Sequence, residues 1–351
     1  MSNIRLENVT KRFKQTTALD DVSFDIKDGE FFVLLGPTGA GKTTTLRVIA
    51  GLEKPEAGTV LFDAEPVNDL QPADRDVAFV FQQYSLYPTM SVFDNLAFPL
   101  RSPIRKIDEA EIKGRVTKAA ELLRITHLLE RKTVKLSGGE MQRVSIGRAI
   151  VRNPRIFLMD EPLSNLDAKL RESLRVELKH IQKTQSSTTL FVTHDQIEAL
   201  TMADRIGVLK EGKIIQVGTP IDIYDRPATT FVAQLVGTPR INLHRASRDN
   251  GSIRIDGSEV KVGAPDHDLP GSFTLGIRPE DVKINSAGSI AGQVALIEPL
   301  GVETVVHLRS GDKVLLSIQS GLTDLHIGEQ VRFDVERERL HYFDDQGTRI
   351  G

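Results

Sequence analysis

A glycine-rich octapeptide has the composition and spacing of a phosphate-binding loop. Residues 36–43 read GPTGAGKT, which fits the pattern G-x-x-x-x-G-K-[ST], and they follow the apolar run FFVLL at 31–35. Glycines let backbone N–H groups approach phosphate oxygens, Lys42 reaches the β- and γ-phosphates, and the Thr43 hydroxyl is a Mg²⁺ ligand. The competing interpretation is a strand-to-helix turn without a ligand. The residues that we predict to contact the nucleotide here are Gly36, Pro37, Thr38, Gly39, Ala40, Gly41, Lys42, Thr43 and Thr44.

Two adjacent carboxylates follow a second apolar run. In IFLMDE, residues 156–161, a strand would deliver Asp160 and Glu161 to its carboxyl end, where open α/β sheets bind their ligands. Because neighbouring side chains on a strand point in different directions, the two carboxylates can have different roles. We predict that Asp160 holds Mg²⁺ through water and that Glu161 orients and polarises the attacking water. Taken alone, the pair could equally cap a strand end.

Three single residues carry weaker signals. Gln82, in VFQQY, could bridge Mg²⁺ and water, although a surface glutamine is a competing interpretation. His194, after LFVT, could donate a hydrogen bond to the γ-phosphate, although a lone histidine is more often structural. Phe13 could stack on an adenine, although an aromatic residue beside Val9 is at least as often in the core.

A second glycine-rich turn, LSGGE at residues 136–140, precedes a stretch with helical apolar spacing. Ser137 stands where an N-cap would, and Glu140 in the first turn suits the helix dipole. An ordinary capped helix explains everything except the paired glycines Gly138 and Gly139, which are costly in backbone entropy. Free N–H groups at a helix N-terminus bind anions, so this turn predicts a second anion site.

Composition limits the class of protein. The chain has 351 residues, more than one hydrophobic core usually serves, so two domains are expected. With 45 Lys+Arg against 48 Asp+Glu, the net charge of −3 gives no overall field for binding nucleic acid, and we predict no nucleic-acid partner. The sequence has no cysteine, which excludes disulfides and thiolate metal sites. It has neither a signal-peptide core nor an apolar run of transmembrane length, so we expect no membrane crossing.

The elements that must position these residues fall into two domains. Over residues 1–236, short β-rich runs alternate with helical patterns, which is typical of an α/β domain. Within it, residues 88–153 look helical; Asp108 and Glu111 fit a capping box, and Ile107 and Ile112 are placed as a hydrophobic staple. Residues 237–351 form short alternating segments broken by Gly, Asp and Ser, which predict a small β-barrel or sandwich.

Six motifs occur together in one order. They are GPTGAGKT at 36–43, FQQ at 81–83, LSGGE at 136–140, FLMDEP at 157–162, SNLD at 164–167 and His194. In this order and spacing the chain resembles the ABC-type ATPases, and most closely the subgroup that drives bacterial binding-protein-dependent importers. LGIRPEDV and ALIEPLGVETVV are similar to the TOBE domain of such importers. The resemblance implies a P-loop NTPase cassette with a helical subdomain, followed by a small all-β TOBE-like barrel.

The resemblance also implies cofactors and partners. ATP and Mg²⁺ would bind, with Thr43, Gln82 and Asp160 around the metal and Lys42, Gln82, Glu161 and His194 as the catalytic set. The turn at residues 137–140 would meet the γ-phosphate held by a second copy of the chain, so that two copies enclose two ATP molecules. Phe13 falls at the adenine-stacking position and Asp167 at the loop that crosses the dimer. Glu140 replaces the commoner glutamine, and Phe13 replaces the commoner Tyr or Trp.

The same resemblance suggests where the protein acts. The segment after Gln82, including Tyr84, Leu86 and Tyr87, would form with part of the helical insert the groove that receives a transmembrane subunit. The partners would be two transmembrane permease subunits and, indirectly, a solute-binding protein. The chain would then be peripheral, at the cytoplasmic face of the inner membrane. A sugar or related carbohydrate is the expected solute; polyamine, glycerol phosphate, sulfate and ferric iron are alternatives. Less favoured are a soluble ABC ATPase acting on nucleic acid or ribosomes and a P-loop small-molecule kinase.

Overall fold

The computed structural model describes residues 2–102, 107–249, 251–265 and 268–350. The chain divides into two compact units, Met1–Pro220 and Ile221–Gly351. The predicted helical segment at 88–153 includes residues 103–106, which lie outside the described residues. None of the helices in the described part of the chain is both long and apolar enough for a membrane span.

The first unit contains ten strands and six α-helices among its described residues. The strands are β1 (Ile4–Phe13), β2 (Thr16–Ile26), β3 (Phe31–Leu35), β4 (Ala57–Phe62), β5 (Glu65–Pro66), β6 (Val77–Val80), β7 (Ile156–Asp160), β8 (Thr188–Thr193), β9 (Arg205–Lys210) and β10 (Lys213–Gly218). The helices are α1 (Lys42–Ala50), α2 (Val92–Ala97), α3 (Glu109–Leu122), α4 (Gly138–Ile150), α5 (Ala168–Gln185) and α6 (Gln196–Met202), with short 3-10 turns at Thr126–Leu128 and Thr133–Lys135.

A six-stranded sheet in the order β10-β9-β3-β8-β7-β6 positions the candidate site. All its neighbours are parallel except β10, which pairs antiparallel with β9 at one edge. Every residue of β3, β7 and β8 is buried, as continuous apolar runs in a covered parallel sheet should be. Leu35 pairs with Thr193, and Asp160 pairs with Val192, so the three strands end side by side. The loops that follow them therefore start from one edge of the sheet.

A second sheet, in the order β2-β1-β4-β5, is antiparallel. Its inward side chains share one hydrophobic cluster with helix α1 and the six-stranded sheet. Phe24 of β2 stacks on Phe32 of β3 with ring centroids 5.2 Å apart. The two sheets are thus held together by one core, which confirms the predicted α/β architecture.

Helices α2, α3 and α4 make up the predicted helical segment. The side chain of Asp108 caps α3 by accepting the Glu111 N–H at 2.8 Å, as predicted, and the Glu111 carboxylate pairs with Arg115 one turn further on. The apolar residues at helical spacing on α3 are buried, which gives this helix a face toward its neighbours. The predicted helix is therefore observed. The Glu111 carboxylate, which would complete the capping box, forms an ion pair with Arg115 instead.

The second unit is mainly β. From the boundary onward the chain forms α7 (Pro220–Asp225), α8 (Thr230–Leu235), β11 (Asn242–Asp249), β12 (Ser252–Ile255), β13 (Lys261–Gly263), β14 (Ser272–Ile277), β15 (Val282–Ile284), β16 (Ile290–Pro299), β17 (Glu303–Ser310), β18 (Lys313–Ser320), β19 (Gln330–Val335) and β20 (His341–Phe343), with 3-10 turns at Pro279–Asp281 and Arg337–Arg339. Two five-stranded antiparallel sheets, β13-β12-β11-β14-β20 and β15-β19-β16-β17-β18, enclose one hydrophobic cluster. The predicted all-β fold class of this part is confirmed.

Helices α7 and α8 are held in the second unit by Arg278. Its guanidinium is buried and donates hydrogen bonds to the carbonyl oxygens of Ala233 at 3.1 Å, Val236 at 2.6 Å and Tyr224 at 2.8 Å. The contacts therefore divide the chain between residues 220 and 221, whereas the sequence pattern places the change of character between 236 and 237. The domain limits 1–236 and 237–351 stay a prediction from the pattern.

Candidate functional site

The glycine-rich loop lies between β3 and α1, and its glycines are required by close backbone contacts. A Cβ on Gly36 would stand 2.3 Å from the Leu209 carbonyl oxygen. Gly41, which has a left-handed backbone with φ of 108°, would place a Cβ 2.5 Å from the Ala18 oxygen. Since Gly41 is the N-cap of α1 and has no side chain, the N–H groups of the first helical turn remain available to an anion.

Lys42 lies over this loop. Its side chain is only 5% exposed, and Nζ donates a hydrogen bond to the Pro37 carbonyl oxygen at 3.0 Å. A Cβ built on Gly39 would meet none of the described residues within 4 Å, so the loop is open on that side. A buried ammonium, free helix N–H groups and an open backbone cradle together suit a polyphosphate.

Thr43 and Asp160 form a second part of the site. The Thr43 hydroxyl donates to Oδ1 of Asp160 at 3.0 Å, which brings the start of α1 to the end of β7. Burial raises the pKa of Asp160, and the hydrogen bond from Thr43 opposes that shift. Hydroxyl and carboxylate oxygens are the donors that Mg²⁺ prefers, and one or two carboxylates beside substrate phosphates are a usual set for it. The residues present therefore fit this metal.

Glu161 joins the glycine-rich loop to the end of β8. Its backbone is left-handed, with φ of 43°, and its N–H donates to the Val192 carbonyl oxygen at 3.0 Å. One carboxylate oxygen lies 3.3 Å from Nζ of Lys42, and the other lies 2.9 Å from Nδ1 of His194. Glu161 thus contacts both Lys42, which is 119 positions away in the sequence, and His194, which is 33 positions away. A left-handed glutamate at such a position is strained, and strain of this kind concentrates at functional sites.

Gln82 lies beside the turn that follows Glu161. The Gln82 carbonyl oxygen accepts a hydrogen bond from Asn165 at 3.2 Å, and its amide nitrogen lies 3.5 Å from the Ser164 hydroxyl. Ser164 in turn donates to the Glu161 carbonyl oxygen at 2.9 Å. Ser164 and Asn165 belong to the SNLD motif, but no role was predicted for either residue. Their contacts with Gln82 arise from the tertiary fold and cannot be predicted from a local sequence pattern.

The second glycine-rich turn begins α4 and packs against α5. Ser137 is the N-cap of α4 in a complete capping box, in which its N–H donates to Oε2 of Glu140 at 2.7 Å and its hydroxyl donates to the same oxygen at 2.9 Å. These bonds lower the pKa of Glu140, the backbone bond from Ser137 most. A Cβ on Gly139 would stand 2.0 Å from the Leu170 side chain, so this glycine allows α4 to approach α5 closely.

Two further predicted residues lie at other elements. Phe13 ends β1, where its ring is 41% exposed and Nζ of Lys11 lies 5.0 Å from the ring centroid. Asp167 is the N-cap of α5 and accepts the Leu170 N–H at 3.0 Å. An exposed aromatic ring at a strand end remains accessible to a planar ligand. Phe13 and Asp167 make these contacts at the ends of their own elements.

No sequence pattern predicted the contacts of Arg148. It lies near the end of α4, donates to the Ser85 carbonyl oxygen at 2.7 Å, and lies over the Tyr87 ring at 5.6 Å from the centroid. Tyr87 also packs against Phe98, with ring centroids 4.4 Å apart, and both rings are partly exposed. Helix α4, which Ser137 caps, therefore also contacts the segment that follows Gln82.

Comparison with protein families gives two matches. The family described as "ABC transporter" matches residues 19–164, and the family described as "TOBE domain" matches residues 275–343. These matches fall on the α/β unit and on the all-β unit respectively.

Curated relatives match over the whole length. The trehalose/maltose import ATP-binding protein MalK of Thermococcus litoralis is 45% identical over 98% of this chain and 98% of its own. The sn-glycerol-3-phosphate import ATP-binding protein UgpC of Ruegeria pomeroyi is 45% identical over 100% of this chain and 99% of its own.

Solved structures match about two thirds of the chain. The dimeric ATP-binding cassette MJ0796 bound to ADP and Pi is 34% identical, with a TM-score of 0.56 over 62% of this chain and 98% of that one. A nucleotide-free ATP-binding cassette from an ABC transporter is 29% identical, with a TM-score of 0.58 over 68% of this chain and 100% of that one.

Proposed function

The chain belongs to the ABC transporter family, and we propose that it is the ATP-hydrolysing subunit of an importer for a sugar or a related carbohydrate. The observation that carries the proposal is the contact of Glu161 with both Lys42 and His194, beside the Thr43–Asp160 hydrogen bond. This arrangement puts a phosphate-binding cation, a metal-binding pair and a candidate base at one edge of the sheet.

Hydrolysis would use these residues in a definite order. The phosphates of ATP compete with Glu161 for Lys42, which frees one carboxylate oxygen to accept a hydrogen bond from water. Glu161 orients that water toward the γ-phosphorus and accepts its proton. As the new P–O bond forms, the bond from phosphorus to the bridging oxygen breaks and ADP leaves. His194, hydrogen-bonded to the other oxygen of Glu161, keeps the carboxylate aimed, and it would donate a hydrogen bond to the γ-phosphate.

Mg²⁺ would be held by Thr43 and Asp160, with Gln82 nearby. When bound, this metal neutralises charge on the phosphate oxygens. Gly36, Gly39 and Gly41 would let the loop backbone surround the phosphates, and Phe13 would stack on the adenine.

The anion site at residues 137–140 is proposed to act on a second copy of the chain. Ser137, Gly138 and Gly139 would meet the γ-phosphate that Lys42 of the other copy holds, and Asp167 would lie at the same boundary. A dimeric relative, MJ0796, supports this proposal. The Glu140 carboxylate now occupies the Ser137 donors, so it would leave them as the phosphate arrives.

Coupling to the membrane would run through the segment after Gln82. Tyr87 and Phe98 offer partly exposed rings, and Arg148 fixes Ser85 beside them. We infer that one transmembrane permease subunit docks on this segment of each copy of the chain. A solute-binding protein would deliver the solute to the two permease subunits. The chain would then be peripheral, at the cytoplasmic face of the inner membrane.

Glycerol phosphate is the second candidate solute, because relatives as similar as the carbohydrate one are named for it. Polyamine, sulfate and ferric iron have no such support among the relatives described above. Copurifying the solute-binding protein with the transporter and measuring its melting temperature with maltose, trehalose and sn-glycerol 3-phosphate would separate the two candidates.

The ATPase proposal is tested with the purified full-length chain, ATP and Mg²⁺, without any acceptor. We expect phosphate release in the wild type. In Lys42→Ala we expect ATP affinity to fall by about tenfold or more, because a buried charge-assisted contact to phosphate is lost. Unchanged ATP affinity in this variant would contradict the role of the loop, and phosphate transfer to a small molecule in place of water would favour a kinase.

A further inference from the structure

The loop at residues 164–167 lies between two parts of the candidate site. At its beginning, Ser164 and Asn165 contact Gln82, as described above. At its end, Asp167 caps α5, and the Arg171 N–H donates to the Asp167 carbonyl oxygen at 2.9 Å. One short loop is therefore tied both to Gln82 and to the first turn of α5.

Arg171 extends this connection to the segment that contains His194. Its Nη2 donates to the Leu166 carbonyl oxygen at 3.0 Å, and its Nη1 lies 3.5 Å from Oδ2 of Asp195. The two side chains are 33% and 23% exposed, so the ion pair is partly shielded from water. A planar guanidinium can hold a carbonyl oxygen and a carboxylate at fixed positions at the same time.

Asp195 is rigidly held and is the direct neighbour of His194. Its Oδ1 accepts the N–H groups of Ile197 at 2.7 Å and Glu198 at 3.3 Å, which caps α6. Its own N–H donates to the Thr193 hydroxyl oxygen at 2.9 Å, and that hydroxyl donates to Glu198 at 2.5 Å. Any displacement of Asp195 would thus carry the His194 backbone with it.

One nitrogen of the Arg171 guanidinium makes no hydrogen bond to the described residues. Its Nε is buried and lacks a hydrogen-bond partner among the described residues. An unpartnered buried donor is unfavourable.

We propose that Arg171 is a positioning residue that transmits the position of the 164–167 loop to His194 through Asp195. The proposal rests on the ATPase function proposed above, because it concerns the contact between His194 and Glu161. Arg171 is not a catalytic residue, since its side chain contacts Leu166 and Asp195 rather than Glu161 or Lys42 in the described part of the chain. It makes the loop at the expected dimer boundary and the histidine beside the candidate base move together.

The first test reads the position of His194 without any activity. Full-length protein with isotope-labelled histidine would be studied by NMR, and the His194 signal would be identified by its loss in His194→Ala. We expect the signal to move in Arg171→Met and to move less in Arg171→Lys, which keeps the charge but not the fork. Arg175→Met removes an equal charge one turn further along α5, and it should leave the signal in place.

The second test is a kinetic double-mutant cycle with Arg171→Met and His194→Ala. We expect kcat to fall about tenfold to a hundredfold in Arg171→Met, with the Kd for ATP within about twofold of wild type, because misplacement costs rate and not binding. In the His194→Ala background, Arg171→Met should have little further effect.

Each outcome decides one proposal. An unmoved His194 signal in Arg171→Met, or losses that multiply in the double variant, would overturn the positioning role. An equal loss in Arg175→Met would also overturn it, since the effect would then be one of charge alone. If the wild type releases no phosphate from ATP, the ATPase proposal fails, whereas the NMR test still decides the connection from Arg171 to His194.

Discussion

At the scale of single residues, the backbone of Glu161 explains how two adjacent carboxylates acquire different surroundings. The sequence predicted separate roles for Asp160 and Glu161 from the alternation of a strand. In the structure, Asp160 ends β7 and faces Thr43, and the left-handed backbone at Glu161 turns its carboxylate to Lys42 and His194. The strand was predictable from its apolar run, but the turn is set by contacts with β8 that the local sequence does not contain.

The Glu161→Gln variant tests the proposed base. Glutamine is nearly isosteric with glutamate and keeps the hydrogen-bonding shape, but it cannot accept a proton, so we expect ATP affinity close to wild type and turnover lower by roughly 10²- to 10⁴-fold. Equilibrium binding of ATP and single-turnover phosphate release would measure the two quantities. Glu172→Gln, an exposed position on α5, is the matched control. Turnover near the wild-type rate would refute the assignment.

The glycine-rich loop was the most predictable part of the site. Gly36 and Gly41 are required by the close approach of the Leu209 and Ala18 carbonyl oxygens, and the motif carries that requirement in eight consecutive letters. The contact from Lys42 to Glu161 was not predictable from the residues alone, because it depends on β3 and β7 lying on either side of β8. The contacts of Arg148 with Ser85 and of Arg171 with Asp195 were not predictable either, because they too join elements that are distant in the sequence.

At the scale of elements, α4 links the anion site to the segment after Gln82. Its caps and apolar spacing predicted the helix from Ser137 onward, as observed. Its packing could not be predicted: a Cβ on Gly147 would stand 2.8 Å from Leu96 and 2.9 Å from Leu123. A glycine inside a helix costs stability by itself, so here the close approach of α2 and the end of α3 must compensate.

A pair of glycine-to-alanine substitutions separates these two effects. At Gly147, alanine gains helix propensity but overpacks the contact with α2, and we expect a net loss of about 1 kcal/mol in the free energy of unfolding. At Gly114 of α3, a Cβ would meet none of the described residues within 4 Å, so alanine should stabilise by about 0.5–1 kcal/mol. Urea unfolding of both variants would measure the difference, and equal effects would refute close packing at Gly147.

The 3-10 turn Pro279–Asp281 contains a carboxyl group that makes the second unit sensitive to pH. Both oxygens of the Asp281 side chain are buried without a hydrogen-bond partner among the described residues, although Nε of Arg339 lies 3.3 Å away. Burial raises the pKa of Asp281 to about 6, against the attraction of Arg339. Between about pH 4 and pH 6 the folded state therefore holds a proton that the unfolded chain has released.

The stabilising contribution of Asp281 is complete below the unfolded pKa and is lost as the pH rises through about 6. Relative to Asp281→Asn, which cannot titrate, the wild type should lose about 2–3 kcal/mol of unfolding free energy between pH 4 and pH 7.5. Chemical unfolding of both proteins at several pH values would measure this difference. A difference independent of pH would contradict the raised pKa.

At the scale of the whole molecule, the candidate site is proposed to be shared between two copies. Two inactive variants can then complement each other. Ser137→Arg blocks the anion turn but keeps the glycine-rich loop, and Lys42→Ala has the reverse defect, so a mixed pair contains one complete site. We expect ATP-dependent association in the mixture and little in either variant alone, measured by sedimentation velocity. Mixing each variant with itself at the same total concentration is the control, and association of either variant alone would refute a shared site.

The buried guanidinium of Arg278 bears on how this chain can be shortened or recombined. Burial lowers its pKa, and its charge is solvated by the carbonyl oxygens of Tyr224, Ala233 and Val236. A truncation or a chimera joined between residues 236 and 237, where the sequence changes character, would strip this cation of those acceptors and leave it in an apolar interior. A junction between residues 220 and 221 keeps the cation and its acceptors in one fragment. The second unit therefore begins well before the residues 275–343 that the family match covers.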